Sequence, residues 1–200
     1  MKMIHSELYA HETALVIVNA QNMWFHPDGK MHLDEATRQI PTIANLASHF
    51  RERGSQVIYT QVVWDSFEDV PKPLVKARPL FKEGWVALKR GSVLGQIHSD
   101  LAPQPRDLVV EKKYFDAFQT GNLEEQVDPT IKNLAFTGTT LNNCVYSSLL
   151  GASQRGYHTL AVRDCISAFP GDNPEHWYKQ MGENLGTQVL AAEELIRLLK

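Results

Sequence analysis

Short runs of apolar, β-branched residues alternate along this chain with longer segments in which apolar positions recur every three or four residues. Residues 14–18, 56–60, 107–110, 134–137 and 158–162 are apolar at most positions and bounded by polar residues, glycine or proline. A strand covered on both faces needs apolar side chains on both, so these runs predict parallel strands inside a covered sheet. Residues 187–190 predict a further short strand. The longer segments, 33–53, 142–155, 174–185 and 191–199, carry helical spacing. In the first, Leu33, Ile40, Ile43, Leu46, Ala47 and Phe50 form one apolar stripe. The second ends at Gly156, a residue suited to close a helix.

Strands alternating with helices predict an α/β fold: a three-layer, doubly wound, mainly parallel sheet of about six strands with helices on both faces. Residues 62–105 contain five prolines and predict irregular excursions with one short helix. A loop that long in a compact domain commonly lines a site. Ligands of such sheets bind beyond the carboxyl ends of the strands. That rule confines the search for chemistry to 19–22, 61–65, 111–118 and 138–144.

The chain has 200 residues, 43% hydrophobic and 22% charged, with a formal net charge of −3. This fits one domain over 1–200 and argues against nucleic-acid binding driven by the protein's own positive field. No apolar run approaches the roughly 18 residues of a membrane span. The first residues lack the apolar core and cleavage site of a signal peptide, so a cytoplasmic location without membrane attachment is expected. Two cysteines, Cys144 and Cys165, are too few for a disulfide scaffold.

A strand running out at Gly138 and a helix beginning near Asn142 place Cys144 in a first helical turn. Free N–H groups and the helix dipole there stabilise a thiolate. From position alone, a nucleophile and a small packed hydrophobe are equally good accounts of Cys144. Cys165, following a strand, is expected to pack.

The segment Phe136-Thr-Gly-Thr-Thr-Leu-Asn-Asn-Cys-Val-Tyr-Ser-Ser, with Ala152-Ser-Gln-Arg-Gly-Tyr and Val162-Arg-Asp-Cys behind it, resembles the nucleophile region of isochorismatase-like cysteine hydrolases. Leu141 replaces the threonine usual in that family. Val109-Val-Glu-Lys-Lys-Tyr-Phe-Asp-Ala-Phe resembles the family's lysine block, with Lys112 six residues before Phe118. Ala14-Leu-Val-Ile-Val-Asn-Ala-Gln-Asn resembles its first strand. With the tail around 186–195, the resemblance covers nearly the whole chain. It points to the amidohydrolase branch, with nicotinamidase, N-carbamoylsarcosine and ureidoacrylate amidohydrolases.

The resemblance implies Cys144 as nucleophile, Lys112 as its charge-stabilising partner, and the backbone N–H groups of Thr140 and Cys144 as oxyanion donors. It also implies a cis peptide before Thr140 and a homo-oligomer, either dimer or tetramer. The family's general-base aspartate falls on Asn19, and an amide cannot accept the thiol proton. Three accounts of Asn19 remain open: an inactivating substitution in an otherwise active enzyme, a base supplied elsewhere by Asp65 or Asp116, or a member that binds without turnover.

Nicotinamidases of the family bind a metal after the second strand. Here Asp65 is followed by no histidine until His98, and His26 and His32 sit on a loop, so no metal is expected. No phosphate loop or nucleotide fingerprint appears, and no cofactor is expected. Gln21, Asn22, Trp24, Trp64 and Phe115 are candidate substrate contacts, with Phe25 and Trp85 as further aromatics near the site. The expected activity is cofactor-free cleavage of a C–N bond in a small amide or carbamoyl (ureido) compound through a thioester. The alternatives are a silent binding protein on the same fold and vinyl-ether cleavage of an isochorismate-like substrate.

Overall fold

The computed structural model describes residues 7–200. Six strands form one parallel sheet: β1 Thr13–Val18, β2 Val57–Val62, β3 Leu108–Lys112, β4 Asn133–Thr139, β5 His158–Ser167 and β6 Gln188–Leu190. Their order is β3-β2-β1-β4-β5-β6. The chain therefore winds outward from β1 to β3, returns to the centre, and winds the other way from β4 to β6. The reversal lies between β1 and β4, where loops leave the sheet in opposite directions and open a crevice.

Four longer helices cover the sheet: α1 Asp34–Glu52, α2 Tyr146–Gln154, α3 Pro174–Leu185 and α4 Ala192–Leu198. Successive side chains of a strand point to opposite faces, and β1 shows the consequence. Leu15 and Ile17 pack in one apolar layer with Ile40, Ile43, Leu46 and Phe50 of α1 and Leu195 of α4. Ala14, Val16 and Val18 pack in the other with Leu149 and Ala152 of α2 and Met181 of α3. Every residue of β1 and β4 is buried, as the largely apolar runs require. Each large side chain in these layers contributes about 1.5–3 kcal/mol relative to exposure. Pro41 lies inside α1 without ending it; it is on the exposed side, and the apolar stripe continues past it.

The expected fold class is the one observed, with three local corrections. First, β5 runs to Ser167, so Cys165 lies inside the strand rather than after it. The pairing explains why the strand looked shorter: Ala161 pairs with Phe136, but the next β4 partner is reached only at Ile166 opposite Gly138. The irregularity leaves Arg163 and Asp164 exposed side by side, which imitates a strand end. Second, residues 62–105 hold two short helices, Lys72–Ala77 and Leu80–Gly84, and 3-10 turns, where one short helix was expected. Third, α2 is preceded by a wide π-type turn, Leu141–Val145, so Cys144 sits in that turn. No helix among the described residues is long and apolar enough to cross a membrane.

Candidate active site

Three strand ends meet at the crevice. β1 ends at Val18, and the next residue, Asn19, takes a left-handed conformation at φ 49°. Its N–H donates to the carbonyl of Thr60 on β2 at 2.9 Å, which turns the side chain beneath the crevice. β4 delivers the opposite wall. Gly138 (φ +97°) lies beside Val18, so close that a Cβ there would stand 2.1 Å from the Val18 carbonyl oxygen. Only glycine admits this approach. The chain continues through a cis peptide between Thr139 and Thr140 into the Leu141–Val145 turn. The Thr140 carbonyl accepts from the N–H groups of Asn143 (3.1 Å) and Val145 (3.2 Å). The Asn143 amide also donates to Thr140 Oγ1 at 3.0 Å. This knot holds Cys144 against the crevice floor.

β3 supplies the third component. Lys112, its last residue, is only 1% exposed. Its ammonium nitrogen lies 2.6 Å from the Tyr114 carbonyl and 3.3 Å from Cys144 Sγ. Burial depresses the Lys112 pKa, and attraction to Cys144 and Asp116 opposes that shift. A lysine so enclosed would be costly as decoration, because its charge loses water on every side. Its geometry instead ties its protonation to the cysteine beside it.

Asn19, Thr140 and Cys144 line one cavity with Trp24, Trp64 and Phe115. It is a narrow cleft that opens to solvent. Trp64 is fixed as a wall by its indole N–H, which donates to the Lys113 carbonyl at 2.9 Å, and by an edge-on contact with Phe81. Asn19 Oδ1 accepts a long bond of 3.4 Å from Thr60 Oγ1. Its Nδ2 is buried with no hydrogen-bond partner among the described residues. The position that carries a carboxylate in the resembled family thus presents an unused donor to the cavity.

Two expected substrate contacts are placed otherwise. Gln21 Nε2 donates to the carbonyls of Val62 (2.9 Å) and Gly95 (2.7 Å), while its Oε1 accepts from the Val62 N–H at 2.8 Å. Asn22 Nδ2 donates to the Val93 carbonyl at 2.9 Å. These amides strap the 93–95 loop to β1 and β2 and do not line the cavity. Satisfying that loop's buried backbone groups is their use.

Nor do the two proposed substitute bases reach it. Asp65 is paired with Arg90 at 2.7 Å and Lys113 at 3.0 Å, half-exposed and outside the cavity wall. Those cations hold its pKa down to about 2, too low for a base. The Asp116 carboxylate caps the Phe118 N–H at 2.9 Å and lies against Gly151 of α2. Cys165 is fully buried, and burial pushes its thiol pKa up, as expected for a packed cysteine. No group of three or more His, Cys, Asp or Glu side chains stands close enough to hold a metal ion among the described residues.

The structure adds residues that the sequence reading passed over. Arg78, from the long excursion, lines the cavity with its guanidinium 4.6 Å from the Phe169 ring centroid. No hydrogen bond or ion pair engages that guanidinium among the described residues. Met31, Leu74 and Phe169 complete the apolar wall. The expectation that the proline-rich excursion borders a site was the one signal pointing towards Arg78.

The six-stranded parallel sheet in this order carries a buried Lys–Cys pair at its switch point. The isochorismatase domain model matches residues 13–194. The chain belongs to the isochorismatase family. It is 31% identical over 176 residues to the ureidoacrylate amidohydrolase of Agrobacterium fabrum, covering 76% of this chain and 75% of that one. It is 22% identical over 161 residues to the maleamate amidohydrolase of Pseudomonas putida, covering 79% and 73%. The crystal structure of a cysteine hydrolase from Pseudomonas syringae pv. phaseolicola superimposes with a TM-score of 0.88 at 19% identity, covering 98% of this chain and 96% of that one.

Proposed function

We propose that this protein hydrolyses a C–N bond of a small amide or ureido acid, with Cys144 as nucleophile. The observation that carries the reading is the buried contact of 3.3 Å between Lys112 and Cys144, with Cys144 on the wall of the cavity. The thiolate is the reactive form of a cysteine, and Lys112 is the cation placed beside this one. The thiolate attacks the carbonyl carbon, the amine or ammonia leaves, and water resolves the thioester. The N–H groups of Thr140 and Cys144, with the free Nδ2 of Asn19, are the donors available to the developing oxyanion.

The acid end of the substrate is proposed from Arg78. Lys113 is already neutralised by Asp65 and Asp69, whereas Arg78 brings an unmatched positive charge to an otherwise apolar wall. A guanidinium resting 4.6 Å from the Phe169 ring centroid is suited to a carboxylate, which a guanidinium grips through two parallel bonds. Relatives named for ureidoacrylate and maleamate support this choice of class.

The experiment follows ammonia release from a panel of small ureido and amide acids, with the unaltered protein and with Cys144→Ala. The reading expects turnover that is lost in Cys144→Ala. Undiminished turnover by that variant refutes it.

A further inference from the structure

We propose that Lys112 is itself the general base of this active site, taking the thiol proton of Cys144 and returning it to the leaving nitrogen. This inference rests on the nucleophile reading above and goes beyond it, because a stabilising cation and a proton carrier are different roles.

Position 19 sets the charge of the cluster. An aspartate there would give the buried cluster a negative charge, and a permanently protonated lysine would balance it. Asn19 is neutral and offers the cavity an unpartnered N–H donor. With no anion at 19, the cluster of Asn19, Lys112 and a Cys144 thiol carries a net charge only if Lys112 is an ammonium. Such an isolated buried charge is the expensive case. The neutral cluster has one proton to share between Nζ and Sγ, 3.3 Å apart: amine with thiol, or ammonium with thiolate. Moving the proton between them changes no net charge, so the enclosure does not penalise it as it would a lone ion.

The other groups around Lys112 leave no competitor. On its own strand and loop, Lys113 turns outward to Asp65 and Asp69, at 3.0 and 3.2 Å, and Tyr114 contributes a backbone carbonyl. From beneath, Asp116 favours the ammonium electrostatically, but its carboxylate is spent on the Phe118 N–H and packed against α2. Across the cavity stands Arg78, which does not release a proton in this range. Neither a carboxylate nor an imidazole lines the cavity among the described residues. Burial also lowers the lysine's affinity for its proton, in the direction a base working near neutrality needs.

The proton balance closes without another participant. Nζ takes the thiol proton as sulfur forms its bond to the carbonyl carbon. The C–N bond then breaks, and the Nζ proton passes to the departing nitrogen, leaving a neutral amine and a neutral lysine. Lysine next takes a proton from water as the water oxygen bonds to the acyl carbon. The C–S bond breaks, and the proton returns to sulfur.

Lys112→Arg separates the two roles, because arginine keeps the positive charge and cannot carry the proton. The probe is 4-nitrophenyl acetate, whose nitrophenolate leaves without being protonated, so no natural substrate is required. The unaltered protein is expected to release nitrophenolate continuously. Lys112→Arg is expected to give one burst per Cys144 and stall as an acetyl adduct seen by intact mass, with clearance slowed roughly 10²–10⁴-fold. Adding Asn19→Asp, which restores a carboxylate base, is expected to recover clearance. Clearance by Lys112→Arg at the unaltered rate overturns the proposal while leaving Cys144 as nucleophile. Absence of any Cys144 adduct in the unaltered protein overturns both. Should Lys112→Arg fail to fold by circular dichroism, iodoacetamide labelling of Lys112→Met decides. Labelling of Cys144 at pH 7 is expected to fall at least about tenfold and to recover as pH passes the ordinary thiol range near 8.5. An unchanged labelling profile overturns the proposal.

Discussion

Gly138→Ala tests whether the close approach of β4 to β1 builds the site. The substitution puts a methyl group 2.1 Å from the Val18 carbonyl oxygen and 2.7 Å from its nitrogen, and both obstacles are backbone in the central strand pair. Neither can rotate away as a side-chain tip would. The residue also sits at φ +97°, where alanine is strained by about 1–3 kcal/mol. Forcing a methyl into a packed region adds about 1–3 kcal/mol. Together these give a loss of about 2–6 kcal/mol, a large part of the 5–15 kcal/mol typical of a domain. At roughly 2–4 °C per kcal/mol for a chain of this length, Tm should fall by about 4–24 °C. Gly156→Ala is the internal control: it has φ +86° but nothing within 4 Å of the added carbon. It should show the conformational strain without the clash, so its Tm should fall distinctly less. Differential scanning calorimetry of both variants measures this. Equal Tm losses in the two, or no loss in Gly138→Ala, would refute the claim that steric contact at Val18 requires glycine.

Three further outcomes follow from the same structure. Arg78→Met should raise KM for ureido or amide acids about 10–100-fold, the worth of a charge-assisted pair of bonds, with kcat changed much less. An equal rise for neutral amides would show that Arg78 does not read a carboxylate. Iodoacetamide at pH 7 should modify Cys144 and spare Cys165, whose thiol is fully buried and held protonated by that burial; peptide mass mapping that finds Cys165 labelled at a similar rate contradicts this. The carboxyl of Asp65 has its pKa lowered to about 2 by Arg90 and Lys113. Its stabilising contribution is therefore complete above the ordinary aspartate value of 3.8 and is lost as pH falls through about 2. Tryptophan fluorescence from Trp64 and Trp85 should change across that interval, and the change should disappear in Asp65→Asn.

The strands were legible because both faces of the sheet are covered, which buries every residue of β1 and β4 and makes their central positions apolar. α1 was legible through its stripe, even across Pro41. The end of β5 was not, because a pairing irregularity exposes Arg163 and Asp164 together and interrupts the signature. Strand ends marked the segments, and the family resemblance singled out Cys144, Lys112, Asn19 and Thr140 within them; Asn19, Thr140 and Cys144 line one cavity, with Lys112 3.3 Å from the Cys144 sulfur. Gln21 and Asn22 lie in the same segments, yet their amides serve loop backbone. Residence at a strand end fixes a neighbourhood but not the direction of a side chain. Arg78 was missed for the converse reason: its excursion carries no periodic pattern, and its place over the cavity arises from tertiary packing alone.

The central claim, covalent chemistry at Cys144 in the protein as it stands with Asn19, is tested most directly by quenching turnover of a ureido or amide acid in acid and mapping the adduct. An acyl group, equal to substrate less its leaving amine, is expected on the peptide containing Cys144, formed and cleared at rates that match ammonia release. Steady ammonia release with that peptide unmodified, persisting in Cys144→Ala, would contradict it.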